Sequence, residues 1–97
     1  MIELAGFQVT RHEVTIINAA TDLVSAWQQE PNRRPFREAL RRLAKDQLAQ
    51  YGLTPADYPA IRRVANLIRT GRGHPTDNAG PLIAAVRDQP DHLVTRE

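Results

Sequence analysis

Apolar and cationic positions alternate around one strong helical repeat in the middle of the chain. Within residues 33–51, Phe36, Leu40, Leu43, Ala44, Leu48 and Tyr51 recur at the three- and four-residue steps that gather side chains on one helix face. Arg34, Arg37, Arg41 and Lys45 recur at the same steps on another face, with Arg33 and Arg42 on its flanks. One face is built to bury and the other offers a row of cations. Asn32 or Arg34 can open this helix, with Pro35 tolerated in its first turn. Gly52 supplies a left-handed C-terminal cap, and Leu53 can fold back onto the last turn. Glu38 is spaced to pair with Arg41 or Arg42, and Asp46 with Arg42.

The flanking segments carry their own punctuation. Thr10-Arg11-His12-Glu13 fits a capping box, with Val9 and Val14 placed as a hydrophobic staple. The stripe Val14, Ile17, Ala20, Leu23, Val24 and Trp27 then predicts a core helix to about residue 29, stopped before Pro31. A turn is expected over residues 54–57, followed by a third helix capped by Asp57, with Pro59 in its first turn, running to about Thr70. There Ile61, Val64, Ala65 and Ile68 face inward, while Arg62, Asn66 and Arg69 form an outer ridge with Arg63 beside it. Residues 70–81 read as a loop, and Gly80-Pro81 opens a short fourth helix over residues 82–89. Residues 2–9 alternate loosely and suggest an extended arm pairing with residues 92–94. The expected architecture is one all-α domain spanning residues 1–97: a small bundle of three main helices plus a short fourth, with irregular N- and C-terminal arms.

Composition narrows the class. An apolar fraction of 41% and a charged fraction of 25% suit an ordinary globular domain. The absence of cysteine excludes disulfides, thiolate metal sites and cysteine nucleophiles. No apolar run approaches the roughly 20 residues needed to cross a bilayer, and the first residues lack the pattern of a secretory signal. A soluble, cytoplasmic protein without membrane contact is the expectation.

The net charge of +2 conceals a division along the chain. Residues 1–30 carry one basic against four acidic residues, residues 31–73 ten against three, and residues 74–97 two against four. Nine of the ten central cations are Arg, the side chain whose planar fork matches phosphate and carboxylate. A GC-rich genome would explain Arg in place of Lys, but not the clustering.

Chemistry beyond charge is sparse. The acids fall at helix starts and in ion-pair positions. The histidines at 12, 74 and 92 have no ligand spacing, and His74 with Asp77 makes at best a weak metal pair. No nucleophile elbow, P-loop or dinucleotide fingerprint occurs, so neither an enzyme nor a cofactor or metal is expected. Gly71-Arg72-Gly73-His74 has the composition of an anion-binding nest, although a glycine helix cap followed by a linker is the preferred reading. Trp27, Tyr51 and Tyr58 fall on apolar faces and read as core rather than as stacking platforms.

The candidate binding residues are therefore Arg33, Arg34, Arg37, Arg41, Arg42, Lys45, Arg62, Arg63, Asn66, Arg69 and Arg72. They would merge into one surface if the second and third helices pack antiparallel, as a short connection favours. Such a surface suits a non-catalytic, nucleic-acid-associated accessory protein or small subunit of a nucleoprotein complex, gripping DNA or RNA by its backbone. The acidic ends would meet protein neighbours or a second copy. The alternative is a protein–protein interaction module, an inhibitor or adaptor, whose basic face binds an acidic partner. A sequence-specific helix-turn-helix regulator fits less well, because only Arg62, Arg63 and Asn66 are placed to read bases.

Overall fold

The computed structural model describes residues 2–31 and 34–94. Two short strands, β1 (Ile2–Leu4) and β2 (Phe7–Val9), precede four helices: α1 (Arg11–Gln28), α2 (Phe36–Gln47), α3 (Tyr58–Arg69) and α4 (Gly80–Arg87). Short 3₁₀ turns follow α2 at Leu48–Tyr51, precede α3 at Pro55–Asp57 and follow α4 at Asp91–Leu93. The domain is mostly helical, with one small two-stranded sheet.

That sheet corrects the expected N-terminal arm. β1 pairs with β2 rather than with residues 92–94, in the register Ile2↔Val9, Glu3↔Gln8 and Leu4↔Phe7. Its two-residue turn places both Ala5 (φ 51) and Gly6 (φ 88) at positive φ, the backbone a tight hairpin needs to match strand twist. Phe7 and Val9 of β2 are buried and seal one side of the core, whereas Ile2 and Glu3 of β1 are exposed.

α1 is the organising helix. Its capping box forms as the sequence predicts: the Thr10 hydroxyl accepts the Glu13 N–H (3.1 Å), and the Glu13 carboxylate accepts the Thr10 N–H (2.7 Å). It packs against α2, α3 and α4, and this triple contact explains why Ile16 and Ala19 are buried beside the expected Ile17, Ala20, Leu23 and Val24. Arg87 of α4 ties the assembly together. It donates to the Glu13 carboxylate through Nε and a terminal nitrogen, and to the Gln8 carbonyl of β2 (3.0 Å).

α2 departs from one continuous α-helix. At Leu48 the chain tightens into a 3₁₀ turn and ends at Gly52 (φ 73). The Leu53 N–H donates to the Leu48 carbonyl (3.0 Å), and Leu53 folds back into the core, as its sequence position predicts. The buried centre of α2 is Ala39, Leu40 and Ala44, while Phe36, Leu43 and Tyr51 are only half-buried. Leu43 therefore lies at the margin of the face rather than in its middle. Trp27, Tyr51 and Tyr58 are likewise half-buried, Tyr51 and Tyr58 packed against the core as expected. Trp27 packs edge-on against Phe36 (centroids 5.1 Å apart) and donates its indole N–H to the Arg34 carbonyl (2.8 Å), fixing the entry to α2.

Candidate functional site

α2 and α3 run antiparallel, but they face one another across a groove instead of packing backbone to backbone. α1 supports both. At one end the Arg69 guanidinium, near the end of α3, lies over the Phe36 ring at the start of α2, 4.6 Å from its centroid. Arg37 and Arg62 come next, lining hollows shared by the two helices. Arg41 and Tyr58 follow, and Lys45 lines the far end. The two ridges read from the sequence thus become two walls: Arg37, Arg41 and Lys45 from α2, Arg62 and Arg69 from α3. All five cations are exposed.

The geometry follows from the helical repeat. Positions 37, 41 and 45 are four residues apart and lie one above the other on α2. Ala39, Leu40 and Ala44 bury against the body of the domain and so turn that row to the side. On α3, Ile61, Val64 and Ala65 are buried, which leaves Arg62 and Arg69 on the groove side. Arg34, just before α2, and Arg72, just after α3, flank the end marked by the Phe36–Arg69 contact, and both are exposed.

The remaining candidates have local tasks, and of these Arg63 and Asn66 also line the hollow with Phe36, Arg37, Arg62 and Arg69. Arg42 forms an ion pair with Glu30, which replaces the expected pairing with Glu38 or Asp46. Arg63 is half-buried, and its Nε donates to the Ala85 carbonyl of α4 (2.7 Å). Asn66 is half-buried and its amide oxygen accepts from Arg69 (2.7 Å). The Arg72 Nε donates to the Thr70 hydroxyl (3.0 Å). Arg33 lies outside the described residues.

Two residues matter to the groove more than their sequence positions suggested. Tyr58, at the first position of α3, lines the groove between its cationic and apolar parts. Glu38 brings a carboxylate to the hollow formed with Arg37, Arg41 and Arg62. The spacing of Glu38 to Arg41 and Arg42 hinted at a surface pair. No local signal placed it opposite Arg62.

The glycine loop is not an anion nest. The Gly71 N–H donates to the Ile68 carbonyl (3.1 Å), the Arg72 N–H to the Leu67 carbonyl (2.9 Å) and the His74 N–H to the Asn78 carbonyl (3.0 Å). The first two bonds, with Gly71 at φ 73, are a glycine cap closing α3. His74 staples its own loop, its Nδ1 accepting the Thr76 N–H (3.1 Å) and lying 3.9 Å from the Asp77 carboxylate. Among the described residues no group of three or more potential metal ligands comes together, and no helix is long and apolar enough to cross a membrane.

Asp57, at the opening of α3, is committed elsewhere. Its carboxylate accepts the Thr54 N–H (3.0 Å) and lies 3.0 Å from His12 Nε2. These contacts, the Thr54 bond foremost, hold the acid below its ordinary range. Comparison of the chain with protein-family models, with curated proteins and with solved structures gives no match.

Proposed function

We propose that this chain is a non-catalytic nucleic-acid-binding module that holds a sugar–phosphate backbone in the groove between α2 and α3. One observation carries the reading: Arg37 and Arg41 on one wall face Arg62 and Arg69 on the other, with Lys45 continuing the line. A concave surface in which one sign of charge predominates, here the five wall cations against the Glu38 carboxylate, focuses its field and draws polyanions in. Guanidinium forks suit phosphate oxygens, and such contacts grip a backbone without reading its sequence. Of the three side chains placed to read bases, Arg63 and Asn66 are engaged within the protein, which weighs against a sequence-specific regulator.

The test is the salt dependence of binding. If all five wall cations engage phosphates, the log–log slope of affinity against salt is about −4.5 on duplex DNA and about −3.5 on single strands. Arg37→Gln with Arg41→Gln should lower affinity on every sequence alike and flatten the slope by about one per lost contact. Gln keeps a similar helix propensity, so the fold should persist. Unchanged binding by the double variant would place the interface elsewhere. An acidic protein that binds the groove, at low salt, where neither DNA nor RNA does would establish the alternative, a protein-binding module.

A further inference from the structure

The groove changes character along its length. Beyond Arg41 its floor becomes apolar, formed by Leu48, Ala49, Leu53 and Pro55, with Tyr58 on the α3 side and Arg41 and Lys45 on the rim. This open hollow has a volume of about 500 Å³, within the range of sites that seat small organic groups. Its floor is fixed: Leu48 and Leu53 are core residues, 9% and 6% exposed, locked by the Gly52 cap. A ligand matched to this end must present a flat or apolar group directly beside an anion.

We infer that the groove takes single-stranded nucleic acid, with an unstacked base lodged in the Leu48–Tyr58 hollow and the adjoining phosphates on Arg41 and Lys45. The inference rests on the nucleic-acid reading above and adds the form of the ligand. A duplex keeps its bases stacked inside and offers the hollow only backbone. A single strand offers base faces that aromatic rings and guanidinium planes accept. Charge spacing favours a nucleic-acid strand over an acidic, apolar peptide. On the α2 wall, Phe36–Gln47, the cations Arg37, Arg41 and Lys45 lie four residues apart, so the row runs for roughly 12 Å at the rise of an α-helix. A strand carries an anion on every nucleotide over that length, whereas a peptide does so only within an unbroken acidic run.

Charge alone predicts the opposite order of affinity, because a duplex has the higher charge density. Fluorescence anisotropy with the full chain at fixed low salt separates the two. The probes are a labelled mixed-sequence single strand, as DNA and as RNA, its duplex, and an abasic strand of equal length. The single strand should bind about tenfold tighter than the abasic strand, the effect of one stacked base, and tighter than the duplex despite the duplex's higher charge density. Ala49→Gln adds a neutral side chain to the hollow at an exposed position. It should abolish the preference for the single strand over the abasic strand; Tyr58→Leu should weaken that preference. Equal affinity of wild type for all probes overturns the inference while leaving a backbone-binding module standing. Failure of every nucleic-acid probe overturns the underlying reading as well, and binding of polyglutamate alone would then point to an acidic protein ligand. The wild-type comparison decides the matter even if a variant fails to fold.

Discussion

Replacing Glu13 with Gln tests what holds this domain together. The Glu13 carboxylate accepts the Thr10 N–H and two nitrogens of Arg87, which also holds the Gln8 carbonyl. The side chains of Glu13 and Arg87 are only 12% and 22% exposed, so solvent screens the pair weakly. Gln can still accept the Thr10 N–H in a capping box, so the substitution isolates the clasp from the cap. A hydrogen bond to a charged group contributes about 1.5–3 kcal/mol, and breaking a fully buried pair costs about 3–5. Partial exposure puts Glu13→Gln near 2–3 kcal/mol by the same rules. At about 4–8 °C per kcal/mol for a domain of this size, the melting temperature should fall by roughly 8–24 °C. Glu30→Gln is the internal control: its partner Arg42 is 43% exposed, and the loss should stay below about 1 kcal/mol. The pH dependence adds a signature. The Arg87 hydrogen bond is the largest influence holding Glu13 below its ordinary pKa of 4.5. A carboxylate whose folded-state pKa is depressed contributes stability that is fully present above the unfolded value and lost as pH falls through the folded value. Urea unfolding of wild type and Glu13→Gln should therefore differ most above pH 4.5 and converge in strong acid. If Glu13→Gln is no more destabilising than Glu30→Gln at neutral pH, or if the difference survives in strong acid, the clasp is not the fastening described.

Two further substitutions probe the packing. Leu40→Ala should destabilise the fold by about 2–5 kcal/mol and Leu43→Ala by less than about 2, because Leu40 is 1% exposed while Leu43 is half-buried; equal losses in urea unfolding would mean that α2 is rotated. Gly73→Ala should cost about 1–3 kcal/mol, since an added Cβ would lie 2.6 Å from Cδ2 of the fully buried Leu82, which has nowhere to retreat; an unchanged denaturation midpoint would show that the loop over α4 gives way.

What the sequence disclosed was local. The Thr10–Glu13 box, the Gly52 cap with Leu53 behind it and the Gly80-Pro81 helix start all depend on residues a few positions apart, and each stands where its pattern put it. The hairpin escaped because Ala5-Gly6 is a weak form of the turn signal that Asn-Gly or Asp-Gly would have given. Leu43 stands with Leu40 and Ala44 on the apolar face when the 3.6-residue repeat is carried through residue 51, whereas the helix tightens to 3₁₀ at Leu48 and its buried arc centres on Leu40 and Ala44. Glu13 and Arg87 are 74 residues apart, and no periodicity links them. The candidate cations were visible as a cluster, but their division of labour was not. Arg63 lies next to Arg62 in sequence, yet Arg63 is tied to a carbonyl of α4 while Arg62 is exposed. Both line the hollow beside Phe36, but one helical step of about 100° carries only Arg62 on to the hollow with Arg37 and Arg41, a difference that acquires meaning only once α4 occupies one side of α3.

This division explains how a chain with nearly as many acids as bases can keep a strongly basic groove. Glu13 is matched to Arg87, Glu30 to Arg42 and Asp57 to His12 and the Thr54 backbone. None of these three acids lines the hollows between α2 and α3, where Glu38 is the acid among the lining residues. Pairing of Glu13 with Arg87 and of Glu30 with Arg42 therefore neutralises charge away from the groove and leaves its walls nearly uncompensated. Like charges facing each other across an open groove oppose its closing, and α1 holds both helices in place against the rest of the core. A polyanion bound as proposed would enter a groove that α1 already holds in shape and would relieve repulsion between its walls. On the proposed reading, the acids matched elsewhere are as much a part of the binding surface as the arginines they leave exposed.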